Sequence, residues 1–177
     1  IGLSSPVNYH QNPYTLVDLV HDAQTVLDAY DVHKAYIVGH SMGSAIAQLL
    51  ALDTPEYVTG ITLISTQVLA SYELTDQEKE CMNKTWEILS HNKPTQEYAT
   101  SVDGFIRAYT YLHGDIQVDK ELVRTYIRDM YERSKPEHIT WFEKYSAGIE
   151  PEHNHVQAQK NILDRTQDLK KLQIPVC

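Results

Sequence analysis

The chain has no apolar run approaching the ~20 residues that a membrane-crossing helix needs, although 42% of its 177 residues are hydrophobic. Cysteine is scarce. Cys81 and Cys177 are the only two, and two so far apart in sequence make neither a disulfide framework nor a zinc site. Free thiols in a reducing cytoplasm are expected instead. Positive charge is also short, with 15 Lys and Arg against 24 Asp and Glu and a formal net charge of -9. Such a surface repels phosphate backbones, so nucleic acid is not an expected partner. There is no internal repeat and no low-complexity tract, and the ordinary apolar and charged content argues against disorder. Ile1 opens directly onto Gly2-Leu3-Ser4-Ser5-Pro6. No charged region followed by an apolar one is present there, so no signal peptide is expected. The chain has no initiator Met, so residues are expected to precede it.

What is present is a sequence of strong start and stop signals. Residues 1–14 are turn-like, rich in Gly, Ser, Asn and Pro. Thr15 reads as an N-cap with Asp18 in the first turn. Leu16, Leu19, Val20, Ala23, Val26, Leu27 and Tyr30 then recur at spacings of three and four, which predicts an amphipathic helix. Ala35-Tyr36-Ile37-Val38 is a continuous apolar run ended by Gly39, as expected of a strand buried on both faces. A helical pattern follows from Met42 to Asp53, with Pro55 just beyond. Ile61-Thr62-Leu63-Ile64 predicts a second buried strand. Strand, helix and strand at this spacing make a right-handed βαβ unit with parallel strands.

After Gln67 the pattern changes. Thr75-x-x-Glu78 is a capping box opening a helix through Cys81, Met82, Trp86 and Leu89. Further helices are predicted from about Thr95 to Leu112, from Asp119 through Met130, from Pro136, and from Pro151. Leu169, Leu172, Ile174, Pro175 and Val176 lead into another strand. Three segments are therefore expected: 1–68 as an α/β core, 69–165 as a helical insertion, and 166–177 as the return to the core. The fold class is α/β, a partial parallel sheet with an inserted helical cap.

Gly39-His40-Ser41-Met42-Gly43 joins the first strand to the following helix. A serine hydroxyl is a poor nucleophile unless a base takes its proton and the oxygen is held clear for the substrate. A tight strand-to-helix turn holds it clear by forcing strained dihedrals on the serine and bringing backbone segments together. Glycine two before and two after supplies the space, so Gly39 and Gly43 are both expected to be required. The helix N-terminus directs free N–H groups at the serine oxygen, and the Met42 N–H is the expected oxyanion donor. By composition alone an ordinary strand-to-helix turn remains open as the alternative.

The stretch from Ile1 to Thr66 resembles the middle of an α/β-hydrolase fold enzyme. Ile1-Gly2-Leu3-Ser4-Ser5 is similar to the end of the family's loop after the fourth strand. Ala35–Gly39 resembles the fifth strand, Gly39–Gly43 its nucleophile elbow, and 168–176 the approach to the seventh strand. The helical block is similar to the family's cap, nearest to esterases and lactonases of the aclacinomycin methylesterase-like group. The resemblance implies hydrolysis of a carboxylic ester or lactone through an acyl-enzyme on Ser41. It implies no cofactor, and its partner is a small ester-like molecule. It also implies that the triad acid and histidine follow the seventh strand, outside this chain, and that the missing strands come from the rest of the protein or from another chain. A carbon–carbon bond hydrolase, an aminopeptidase or a non-catalytic binder on the same frame remain alternatives.

Other residues carry weaker signals. Gln67 lies just past the second strand, at the carboxyl edge where such sheets bind ligands. Trp141, with Trp86, Tyr109, Phe142 and Tyr145, either lines an acyl pocket or packs as helix core. His40 adjoins Ser41, but neighbours on such a turn point apart. His113, His153 and His155 read as solvated loop histidines, and no metal site is expected.

Overall fold

A computed structural model describes residues 12–66, 69–70, 73–91, 97–133 and 164–177, apart from the side chains of residues 86 and 89–91. The first helix, α1 (Leu16–Ala29), starts where the sequence predicts. The Thr15 N–H donates to Asp18 Oδ2 at 2.7 Å, and the Asp18 N–H donates to Thr15 Oγ1 at 3.3 Å. This reciprocal box satisfies N–H groups that the helix itself leaves without acceptors. Leu16 and Val20 are buried, while Val26 and Tyr30, expected on the same stripe, are exposed. Tyr30 already lies beyond the helix, and the chain turns at Asp31 with φ 56°.

Strand β1 (Ala35–His40), helix α2 (Met42–Asp53), a 3₁₀ turn (Pro55–Tyr57) and strand β2 (Val58–Ile64) follow in order. The two strands pair in parallel, with Ile37 opposite Ile61, Gly39 opposite Leu63 and His40 opposite Ile64. On the other edge of β2, Val176 forms a parallel bridge to Ile61. Three backbone bonds secure it: Ile61 N to Pro175 O at 2.9 Å, Cys177 N to Ile61 O at 3.0 Å, and Leu63 N to Cys177 O at 2.8 Å. The last residues of the chain thus run parallel to β2, where the sequence predicts a strand, and among the described residues β2 has a neighbour on both edges. Helix α2 is the most buried element. Ala45, Ala47, Leu49, Leu50 and Ala51 join Leu16, Val20, Val58, Ile61 and Leu69 in one core.

β1 departs from expectation. Its apolar run predicted burial on both faces, but Tyr36 is 66% and Val38 67% exposed. Ile37 packs against the core that holds α1 and α2; among the described residues nothing comparable covers the opposite face. There the Tyr36 ring lies across its register partner Gly60, where a Cβ would stand 2.5 Å from Tyr36 Cε1.

The chain divides into two compact units, and the division falls between Glu73 and Leu74. Leu69 is fully buried in the α/β core. The second unit contains α3 (Asp76–His91), α4 (Tyr98–Leu112) and α5 (Lys120–Arg133). The Thr75–Glu78 box opens α3, with Thr75 N donating to Glu78 Oε2 at 2.8 Å. Asp119 Oδ1 accepts from Glu121 N and Leu122 N, each at 3.0 Å, and so starts α5. Helices α4 and α5 pack through Val102, Val123 and Ile127. The helices predicted from Pro136 and Pro151 lie outside the described residues.

Back in the α/β unit, one helical turn, α6 (Thr166–Leu169), precedes the last strand. Arg165 clasps it to the core. Its N–H donates to Leu69 O at 2.7 Å, its Nη2 to Asp53 Oδ1 at 2.9 Å, and its Nε to Asp168 Oδ2 at 2.5 Å. Within the α/β unit, the segment after β2 is thus tied to the segment before the last strand by one backbone hydrogen bond.

Candidate active site

The candidate nucleophile sits where β1 ends and α2 begins. Ser41 has φ 53° and ψ -122°. A side chain in this left-handed region costs about 1–3 kcal/mol and persists only where its surroundings hold it. Two backbone bonds bracket the strained residue. Its N–H donates to Ile64 O at 2.9 Å, and its carbonyl accepts from Ser44 N at 2.9 Å. The last carbonyl of β2 thus fixes the turn after β1.

Serine at the first residue of a helix ordinarily caps it, accepting a hydrogen bond from an N–H of the first turn. Ser41 occupies the N-cap position of α2 and makes no such side-chain bond. Its residue is exposed, and among the described residues no histidine or carboxylate hydrogen-bonds its hydroxyl. The oxygen is presented outward rather than consumed in capping. Met42 and Gly43 open α2, and the first N–H groups of a helix have no intrahelical acceptor. Those amides and the positive end of the helix dipole favour negative charge beside Ser41.

The two glycines differ. A Cβ on Gly39 would lie 2.4 Å from Gly43 O and 2.7 Å from Ser44 Cα, distances no side chain occupies. Among the described residues, a Cβ on Gly43 would meet no heavy atom within 4 Å beyond its own turn of helix. The expectation that both positions must lack bulk is therefore corrected for Gly43. The first turn of α2 closes onto the backbone of β1 at Gly39, and the space is needed on that side.

Ser44 is the third residue of α2. Its hydroxyl is fully buried and donates to Gly39 O at 2.7 Å, with Ile64 O at 3.1 Å also within reach. Gln48, one turn on, donates to Ser44 O at 3.2 Å and to Thr66 Oγ1 at 3.1 Å. The available signal was a polar pair four residues apart on an otherwise apolar helix.

Ser41, Met42, Gly39 and Gly43 are brought together, and the exposed His40 lies within the same turn. Gln67 and Trp141, expected to touch substrate, lie outside the described residues, as do Phe142, Tyr145, His153 and His155. Tyr109 is exposed rather than packed as core. His113 is exposed, with Nδ1 2.8 Å from Tyr109 O. Among the described residues no group of three or more His, Cys, Asp or Glu could hold a metal ion. No helix among them is long and apolar enough to cross a membrane.

A family model described as alpha/beta hydrolase fold matches residues 2–147. Rhodomycin D methylesterase DauP of a Streptomyces species is 44% identical over 63 residues, which are 36% of this chain and 21% of that protein. Mouse (Mus musculus) monoglyceride lipase is 39% identical over 56 residues, 32% of this chain and 18% of that protein. A solved meta-cleavage product hydrolase of Pseudomonas fluorescens IP01 superposes with a TM-score of 0.57 at 21% identity, over 98% of this chain and 54% of that one. The matched stretch thus spans about a fifth of those curated relatives, and the chain about half of the solved structure.

Proposed function

The chain belongs to the α/β-hydrolase fold family, and from that premise we propose that the full-length protein hydrolyses carboxylic esters or lactones through an acyl-enzyme on Ser41. The observation that carries this reading is the state of Ser41, strained, bracketed by two backbone bonds, and with a hydroxyl that does not cap its own helix. That cost in backbone strain has a ready use if the oxygen must attack.

The proposed steps are those of acyl transfer through a serine. Ser41 Oγ bonds to the acyl carbon while its proton passes to a histidine, oriented by an acid, beyond the residues of this chain. The carbonyl oxygen takes negative charge beside the Met42 N–H, and one such donor is worth about 3–4 kcal/mol to the transition state. The alkoxide leaves with a proton. Water then attacks the Ser41 ester, releasing the acid and restoring the hydroxyl. No cofactor enters this scheme. Gln67 and Trp141 are carried in this reading as candidate substrate contacts, and the helical unit as the part that sets substrate preference. The similarity to a methylesterase and a monoglyceride lipase supports an ester rather than an amide substrate. Two free, exposed cysteines suit a reducing cytoplasm.

The test is a fluorophosphonate probe on the full-length protein, followed by matched ester, lactone and amide substrates. Labelling at Ser41 with ester or lactone turnover is expected. No labelling would favour a binder, and faster amide cleavage would favour a peptidase.

A further inference from the structure

We propose that Ser44 is a positioning residue for the nucleophile, its buried hydroxyl locking the strained backbone of Ser41, with Gln48 and Thr66 as the outer half of the same latch. The proposal rests on the reading of Ser41 as the nucleophile.

Ser44 acts on both peptide groups that flank Ser41. Its N–H donates to Ser41 O at 2.9 Å. Its Oγ lies 3.1 Å from Ile64 O, the same carbonyl that accepts the Ser41 N–H. The shorter hydroxyl bond, at 2.7 Å, goes to Gly39 O, two residues before Ser41 on the incoming strand. One fully buried side chain therefore joins the end of β1, the end of β2 and the start of α2. These are the three backbone segments that must keep their spacing for Ser41 to hold φ 53°. Gln48 extends the tie by linking Ser44 O to Thr66, two residues past β2. Buried hydroxyl bonds to carbonyls are short in reach and directional, so they specify position more sharply than apolar packing would.

Packing does not require the hydroxyl. Alanine would fill nearly the same space, and it is a better helix former than serine. A purely structural serine would therefore be replaceable at little cost. A positioning serine would not be, because the Ser41 dihedrals would relax.

The experiment uses the full-length protein and measures the rate of fluorophosphonate labelling, with kcat, KM and thermal unfolding alongside. Wild type should label and Ser41→Ala should not; if wild type fails to label, the nucleophile reading itself is wrong. Given labelling, Ser44→Ala should label and turn over about tenfold more slowly, the cost of one net hydrogen bond. KM should stay within about twofold, because uniform binding is untouched. Wild-type labelling by a folded Ser44→Ala overturns the proposal. Thr66→Val breaks the outer link at an exposed residue and should slow labelling about threefold. It decides the matter if Ser44→Ala does not fold, and an unchanged rate there would overturn the proposal too.

Discussion

A Cβ on Gly39 would stand 2.4 Å from the carbonyl oxygen of Gly43. The contact is backbone against backbone, so no side chain can swing away to relieve it. Gly39→Ala must push α2 off β1, and overpacking of this kind costs about 1–3 kcal/mol or more. Gly43→Ala meets open space and adds a better helix former, a gain of up to about 1 kcal/mol. In thermal unfolding of the full-length protein, Gly39→Ala should be clearly destabilised and Gly43→Ala close to wild type. Equal losses in the two variants would show that the close approach is not one-sided.

Ser41→Ala should lower ester turnover by several orders of magnitude and leave folding intact. The hydroxyl caps nothing, so its removal breaks no bond that stabilises α2. Alanine also dislikes the left-handed region no more than serine does. Turnover within about tenfold of wild type, under conditions where the wild type is active, would remove Ser41 from the mechanism.

Asp168 gives a pH prediction. Hydrogen bonds from Lys171 and then Arg165 hold its carboxyl below the usual carboxylate range. The folded value lies below the unfolded one, so the native state favours the ionised form. Its stabilising effect is complete above the unfolded value near about 3.9 and is lost as pH falls through the folded value. Asp18 and Glu78 shift in the same direction, each through bonds to its capping threonine. The informative quantity is therefore the difference between proteins. The unfolding midpoint of wild type should fall on acidification below about pH 5, and that of Asp168→Asn should fall less steeply. Parallel curves would mean that the Arg165 clasp does not contribute.

Local signals in the sequence located most of the elements. Thr15 with Asp18, Thr75 with Glu78, and Asp119 each start a helix where their side chains satisfy free N–H groups. The tight turn at Ser41 was legible because its motif states a local mechanical requirement, and the φ of 53° there meets it. Four consecutive apolar residues call for cover on both faces of β1, and among the described residues only the face of Ile37 has it. Gly43 was misjudged because the motif presents two equivalent glycines, whereas the approach comes from one side. The Ser44 latch was legible only as a polar pair, Ser44 and Gln48, on a largely apolar helix. It depends on where Ile64 O falls, and that follows from the parallel register of two strands some twenty residues apart rather than from the residues around Ser44.

The last prediction is that residues 1–177, purified alone, do not make a working esterase. The chemical part concerns the base. Among the described residues no histidine or carboxylate hydrogen-bonds the Ser41 hydroxyl, and without a base the oxygen would keep the reactivity of an ordinary alcohol. Binding and oxyanion stabilisation without a triad leave at best roughly 10³–10⁴ over water. The physical part concerns the sheet. Tyr36 and Val38 are about two-thirds exposed, and among the described residues no strand pairs with the outer edge of β1. An apolar face beside an unpaired edge is a template for association. Isolated residues 1–177 should therefore self-associate in a concentration-dependent way and hydrolyse p-nitrophenyl esters no faster than Ser41→Ala. Sedimentation and a rate assay on both proteins check this. A soluble monomer with cooperative unfolding and Ser41-dependent turnover would overturn it, because a base would then have to lie within the chain. The nine histidines would be the first residues to replace in finding it.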